Sequence, residues 1–161
     1  MYNVIFPRRK VGVILLFSIF FCFFIGWINP AIVTELSNYN FVNYLFSPIN
    51  DSLTDFIKFN LVNCVGGMII PFGFLVALTL LLMQSLFLGA NAIGWTLHGI
   101  ITVIYFSYIF ILTIDSGFFF TLYALKRNKQ KLKSEISLII DRTFNLIIII
   151  TIFNLIWWFG F

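Results

Sequence analysis

Residues 59–114 read FNLVNCVGGMIIPFGFLVALTLLLMQSLFLGANAIGWTLHGIITVIYFSYIFILTI and contain no Asp, Glu, Lys or Arg. This run is far longer than the roughly 20 apolar residues that one membrane-spanning helix needs. The whole 161-residue chain has the same character, because 61% of its residues are hydrophobic and only 10% are charged. An average soluble domain carries about 25% charged residues. The composition therefore excludes a soluble globule and a disordered chain, and it predicts an all-α integral membrane protein forming a single membrane domain over residues 1–161.

The basic residues predict how the chain faces the membrane. Arg8, Arg9 and Lys10 precede an apolar run at 11–28, and a second basic cluster follows the long apolar region: Lys126, Arg127, Lys129, Lys131 and Lys133. Basic residues flank membrane spans on the cytoplasmic side. We therefore place the N-terminus and a basic loop at 126–142 in the cytoplasm, and an acidic loop at 29–56 outside. The net charge of +4 then indicates contact with anionic lipid rather than with nucleic acid.

Two cytoplasmic basic clusters require an odd number of crossings between the outer loop and residue 126. Glycines around Pro71 predict a break or sharp kink there, and the small, polar segment 89–94 predicts a turn. The chain then has five membrane segments, at about 11–28, 57–71, 73–89, 96–123 and 143–160. The two arms flanking Pro71 are short, roughly 24 Å each, and fit two thin spans or a re-entrant pair. One long kinked helix is the alternative, and it breaks the charge rule.

Asp115 is the sharpest candidate for a functional residue, because it alone among the acids lies inside an apolar run. It precedes the second basic cluster by roughly 15 Å of helix. A carboxylate in the membrane costs about 2.5–3.5 kcal/mol, so it is expected to face protein or water. One interpretation is a proton-coupled or substrate-contacting acid. The other is a carboxyl that fixes helix packing, with Ser116 and Gly117 permitting close approach.

Other polar residues give weaker signals. His98 is the only histidine, and without Cys or carboxylate neighbours it favours a backbone-bonded interfacial residue over a metal ligand. Four uncharged residues in apolar surroundings predict helix packing, with the lining of a peptide or ion path as the alternative: Asn60, Asn63, Gln84 and Asn91. We find no nucleophile–base pair, phosphate loop or metal motif. The sequence therefore predicts a protein that is not an enzyme, with no cofactor and no metal.

Several short motifs follow one another in an order that goes beyond composition. They are Phe59-Asn60-Leu61-Val62-Asn63, Gly66-Gly67, Pro71-Phe72-Gly73, Gln84, Leu88-Gly89, Ile93-Gly94 and Leu97-His98-Gly99-Ile100. Over roughly residues 56–120 this order resembles the stage II sporulation protein M family. That family commonly has a Glu shortly after His-Gly, where this chain has Thr102. A role for that acid therefore does not carry over, although Asp115 is a partial substitute.

The resemblance implies a multi-span membrane subunit that works with partners and has no catalysis of its own. The short chain favours the branch linked to circular-bacteriocin clusters, in which similar proteins act in export, maturation or producer immunity beside an ABC-type ATPase. The segments Lys126–Lys133 and Leu132–Arg142 are then the candidate docking site for the ATPase, although contact with anionic lipid is the favoured interpretation. The alternatives are a sporulation scaffold for a peptidoglycan hydrolase and a small proton-coupled carrier that uses Asp115.

Overall fold

The chain forms helices throughout the part that the computed structural model describes, which is residues 2–32, 35, 64–90 and 97–158. The helices are α1 (Tyr2–Ile5), α2 (Arg9–Ile28), α3 (Phe74–Ala90), α4 (Leu97–Leu125) and α5 (Lys129–Trp158). Residues 64–69 form a further short helical piece. Within these ranges there is no strand, so the all-α fold class is confirmed.

Two helical stretches are long and apolar enough to cross a membrane. They are α2, with a mean hydropathy of 2.7, and Ser107–Leu125 of α4, with 1.6. Much of the apolar surface of α2 is not covered by the rest of the chain: Val13, Ile14, Leu16, Phe17, Phe20, Phe21, Phe24, Trp27 and Ile28 are all exposed. A soluble protein rarely leaves so large an apolar face uncovered. These features favour association with a membrane, while the number of crossings stays a prediction.

The directions of the helices bring four helix ends together at one end of the bundle. Helices α2 and α3 are parallel, since Leu15 packs with Ala77 while a Cβ on Gly26 would meet the Leu86 carbonyl. Helix α4 runs the other way along α3, because the Phe72 N–H donates to Thr121 Oγ1 at 3.1 Å while Phe110 packs beside Leu80 and Leu81. The starts of α2, α3 and α5 and the end of α4 therefore share one end of the bundle. We call it the basic end, after Arg8–Lys10 and Lys126–Lys133.

The predicted break at Pro71 is a reversal of the chain. A Cβ built on Gly73 would lie 3.1 Å from the Gly67 Cα, whereas six residues of continuous helix would separate these positions by about 9 Å. Phe72 takes up the sharp turn with a φ of 64°. Before the turn, Cys64 and Met68 are buried against residues of α4 and α5. Residues 64–90 therefore reverse direction near Pro71, as the predicted hairpin requires, while the crossing of the membrane by each arm stays a prediction. Of the turn predicted at 89–94, Gly89 and Ala90 belong to the last turn of α3 instead. Most of the 29–56 loop, residues 57–63 and residues 91–96 lie outside the described residues.

The basic segment differs from the predicted loop at 126–142, because only residues 126–128 are non-helical. Arg127 adopts a left-handed φ of 51°, and the N–H groups of Arg127 and Asn128 bond to the carbonyls of Ala124 and Tyr123 at 3.0 and 3.1 Å. This is the Schellman pattern that ends a helix. Asn128 Oδ1 then accepts from the Lys131 N–H at 3.1 Å and caps α5. Two adjacent caps leave no room for a longer loop.

The charges in 126–142 suggested a loop, but the residues that face inwards there recur with the spacing of a helix. Leu132, Glu135, Ile139 and Arg142 recur every three or four residues, and the last three are buried. This periodicity is the inward stripe of a helix, and it continues directly into the predicted last segment at 143–160. Helix α5 is therefore one unbroken element from the basic end onwards.

Candidate functional site

Four buried side chains and the partly exposed Arg8 form a cluster of charged and polar groups near the basic end, which we call the buried cluster: Arg8, Asp115, Ser116, Glu135 and Arg142. At its centre, Arg142 Nη1 of α5 donates to Asp115 Oδ2 of α4 at 2.7 Å and to Ser116 Oγ at 2.6 Å. The side chains of Arg142 and Asp115 are both 0% exposed. A charge taken out of solvent must be paired and hydrogen-bonded to be tolerated, and these two residues meet that requirement across the α4–α5 contact.

Arg8 joins the two acids of the cluster from the start of the chain. Its Nη1 lies 3.2 Å from Asp115 Oδ2 and 3.3 Å from Glu135 Oε1, and its Nη2 donates to Glu135 Oε2. The guanidinium also lies over the Phe119 ring, 3.9 Å from the ring centroid, in the geometry of a cation–π contact. Two arginines thus balance two carboxylates, and the cluster is neutral as a whole.

Burial and pairing act on these charges in opposite directions. Burial raises the pKa of Glu135 above its ordinary value, and the hydrogen bond and charge of Arg8 offset part of this effect. For Arg8, burial opposes the charged form, but the hydrogen bond to Glu135 and the charges of Asp115 and Glu135 outweigh it and raise its pKa. The contacts therefore hold Arg8 firmly as a cation, whereas Glu135 retains an unfavourable balance from its loss of water.

The same residues hold the start of the chain against α4 and α5. Arg142 Nη2 donates to the main-chain carbonyl of Phe6 at 3.0 Å, and the Tyr108 hydroxyl donates to that of Ile5 at 2.9 Å. Asn145 Nδ2 in turn donates to the Tyr108 oxygen at 3.4 Å. We call residues 2–8 the N-terminal strap. It lies against α4 and α5, and we call the surface that it covers there, which includes Tyr108, Arg142 and Asp115, the groove between α4 and α5.

One oxygen of the cluster has capacity for another donor. Asp115 Oδ1 is buried and receives no hydrogen bond from any residue within the described ranges. Its partner oxygen Oδ2 accepts from both arginines. A carboxylate oxygen without a donor in a buried position calls for a further partner, such as an N–H group or a water molecule.

Of the residues that the sequence analysis singled out, Asp115 and Ser116 both belong to the cluster, where they accept hydrogen bonds from Arg142. Gly117 permits the close helix approach that the packing interpretation expects. A Cβ on Gly117 would lie 2.1 Å from the Gly67 carbonyl oxygen. Sequence reasoning missed Arg8 and Arg142 as partners of Asp115, and it missed Glu135 as the second acid that Arg8 pairs with. The available signal was the spacing of Glu135 and Arg142, which are seven residues apart and therefore share the α5 face that carries Ile139 and Leu146.

The burial of Asp115 fits the expectation that this carboxylate faces protein or water and not lipid. Its side chain is 0% exposed and is paired with Arg142 across the α4–α5 contact. Its depth in the membrane stays a prediction.

Among the remaining candidate residues, Gln84 alone has a described side chain, and it does not belong to the cluster. Gln84 lies on α3, and its Oε1 is buried without a hydrogen bond from the described part of the chain. His98 lies in the first turn of α4, but its side chain is outside what the structure describes. Asn60, Asn63 and Asn91 also lie outside the described residues. Among residues 2–32, 35, 64–90 and 97–158, no three His, Cys, Asp or Glu side chains form a group that could hold a metal ion.

The predicted contact residues of the basic end are all exposed: Lys126, Arg127, Lys129, Lys131 and Lys133. Arg9 and Lys10 are exposed at the same end. Because Arg8 and Arg142 are neutralised inside the protein, these seven residues carry the positive charge that the basic end presents outwards. No family model, curated protein or solved structure matches the chain.

Proposed function

We propose that this chain is a non-enzymatic, multi-span membrane subunit that acts with an ABC-type ATPase in the export, maturation or producer immunity of a bacteriocin peptide. The membrane part rests on the apolar helices, and the peptide and its class rest on the resemblance to the stage II sporulation protein M family. The single observation that supports an interaction with the ATPase is the exposed charge of the basic end. This end presents seven exposed cations on two adjoining elements, the start of α2 and the α4–α5 turn.

The basic end suits a partner in the cytoplasm for two reasons. Clusters of Lys and Arg beside membrane helices remain on the cytoplasmic side, which is where the ATPase of a transporter lies. The α4–α5 turn is also rigid, because a Schellman motif and an Asn cap fix both helix ends. A rigid, charged turn loses little conformational entropy when a partner binds, and its charge speeds association with an acidic surface.

The proton-coupled carrier is less well supported by the same geometry. A carrier that uses Asp115 needs its carboxylate to exchange protons with water or substrate. In this chain Asp115 Oδ2 is already shared by two guanidinium groups, and the side chain is 0% exposed. A sporulation scaffold would use the 29–56 loop, most of which lies outside the described residues.

Copurification with charge variants tests the proposal. A candidate ABC-type ATPase is expressed together with this chain, and the five basic residues of 126–133 are changed together to Glu or, in a matched variant, to Gln. We expect the ATPase to be lost almost completely with Glu and to be partly retained with Gln. A third variant, Arg9→Gln with Lys10→Gln, measures the contribution of the other cluster.

Two outcomes would contradict the proposal. Full copurification of the ATPase with the Glu variant removes the docking role of the basic end. The lipid interpretation instead predicts that the Gln variant loses affinity for anionic vesicles while its yield of ATPase is unchanged. Normal peptide export and immunity in a strain lacking this chain would remove the proposed function as a whole.

A further inference from the structure

We propose that the groove between α4 and α5 is a binding site for a peptide segment with two adjacent apolar residues, then one residue of any kind, and then an arginine. The N-terminal strap occupies this site within the same chain, through Ile5, Phe6 and Arg8. The inference rests on the proposed function and names the chemistry of the peptide that the subunit receives.

The groove holds the strap through main-chain atoms. Its donors, Tyr108 Oη and Arg142 Nη2, bond to the carbonyl oxygens of Ile5 and Phe6 at 2.9 and 3.0 Å. Every peptide has these carbonyls at the same spacing. Recognition by main-chain hydrogen bonds therefore admits any sequence whose side chains the groove tolerates.

The side chains at these two positions are only loosely specified. Ile5 is 45% exposed and Phe6 is 48% exposed, so roughly half of each side chain faces away from α4 and α5. Such positions select for apolar character and not for a particular shape. A different apolar residue at either position would keep the main-chain contacts.

Arg8 supplies the specific part of the recognition. Its guanidinium meets Asp115, Glu135 and the Phe119 ring together, and its fork reaches both oxygens of Glu135. Arginine is the residue whose planar donors and charge match such a pocket, and lysine matches it less well because it lacks the fork.

Occupation by the strap makes the site competitive. A segment tethered a few residues from its site has an effective concentration in the mM range, so a separate peptide binds only when it outcompetes the strap or when the strap is released. Loss of the Arg8 side chain removes the specific anchor of the strap and leaves Asp115 and Glu135 without its charge, so these carboxylates can take up the arginine of an added peptide. The affinity for an added peptide is therefore expected to rise when Arg8 is removed.

The experiment measures binding of a fluorescent synthetic peptide, YNVIFPRRK, which copies residues 2–10. The full-length chain in detergent micelles is compared as wild type, Arg8→Lys and Arg8→Ala, with helix content checked by circular dichroism. We expect the Kd to fall at least tenfold from wild type to Arg8→Ala, with Arg8→Lys between them. Arg8→Lys keeps the positive charge of the cluster, so it gives a folded comparison if Arg8→Ala does not fold.

A control peptide carries Glu at both arginine positions and reports binding to the micelle or to apolar surface alone. Equal affinities for the wild type and both variants, or equal binding of the two peptides, would overturn the inference. If the peptide does not bind but the ATPase still copurifies through the basic end, only the peptide site is refuted. Failure of both tests would refute the proposed function as well.

Discussion

Replacing Arg142 with methionine tests the buried cluster most severely. Methionine has a similar length and no charge, so the substitution removes the pairing with little change in volume. Asp115 would keep only the weaker contact with Arg8, at 3.2 Å instead of the 2.7 Å to Arg142. Ser116 Oγ would lose its donor, and so would the Phe6 carbonyl.

The magnitude follows from the burial of the pair. Breaking a buried ion pair by removing one partner costs about 3–5 kcal/mol, because a charge remains without its counter-charge. Arg8 stays beside Asp115 and offsets part of this, so we expect a loss of about 3 kcal/mol in the free energy of unfolding. Asp115→Asn is expected to cost a similar amount, since it leaves Arg142 buried with an uncharged amide.

The assay is reversible unfolding in detergent micelles, followed by circular dichroism, for both single variants and the double variant. The double variant is expected to lose clearly less than the sum of the single losses, with a coupling of about 1–3 kcal/mol. Lys133→Met on the exposed face of α5 is the matched control, and it should change stability by less than about 0.5 kcal/mol. Additive losses, or a loss for Arg142→Met as small as that of the control, would refute the pairing.

Three further predictions concern the packing, the pH response and the turn. Gly117→Ala is expected to destabilise the fold by about 1–3 kcal/mol or more, because its Cβ would lie 2.1 Å from the Gly67 carbonyl oxygen. Gly66→Ala is the control, because its Cβ meets only Ile70 Cδ1 at 3.6 Å, and it should leave stability unchanged in the same unfolding assay. The pKa of Glu135 is raised in the folded state, so the native protein binds more protons than the unfolded chain. The free energy of unfolding therefore falls as the pH rises from the ordinary pKa of a glutamate towards the pKa of Glu135 in the folded protein. Glu135→Gln should flatten this part of the stability–pH curve, and an unchanged slope would contradict the raised pKa of Glu135. Asn128→Ala removes the cap of α5 and should cost about 1 kcal/mol, while Asn128→Asp should keep the stability.

The parts of the fold that sequence reasoning predicted are those set by local chemistry. Pro71 and the glycines around it restrict the backbone directly and indicated a break or kink there, and the positions of the two basic clusters indicated that the chain reverses at this point. The apolar stretch at 11–28 is helical in the structure as α2 for the same reason, since its composition permits little else in a membrane. The two basic clusters were predicted to share one side, and the described helices bring them to the same end of the bundle.

The partners of Asp115 could not be predicted in the same way. Arg8 is 107 residues away and Arg142 is 27 residues away, and pairing over such separations depends on how the helices pack. The loop predicted at 126–142 was wrong for a different reason. The charges of this segment are typical of a loop, but Glu135, Ile139 and Arg142 have the spacing of the inward face of a helix.

Both basic clusters are expected to face the cytoplasm, while α2 ends on the other side of the membrane. This orientation is tested most directly by labelling with a membrane-impermeant maleimide in intact cells and in inverted vesicles, using single cysteines at Lys10, Lys131 and Ile28 in a chain without Cys22 and Cys64. We predict that positions 10 and 131 react only in inverted vesicles and that position 28 reacts only in intact cells. Reaction of positions 10 and 131 from opposite sides of the membrane would contradict the account.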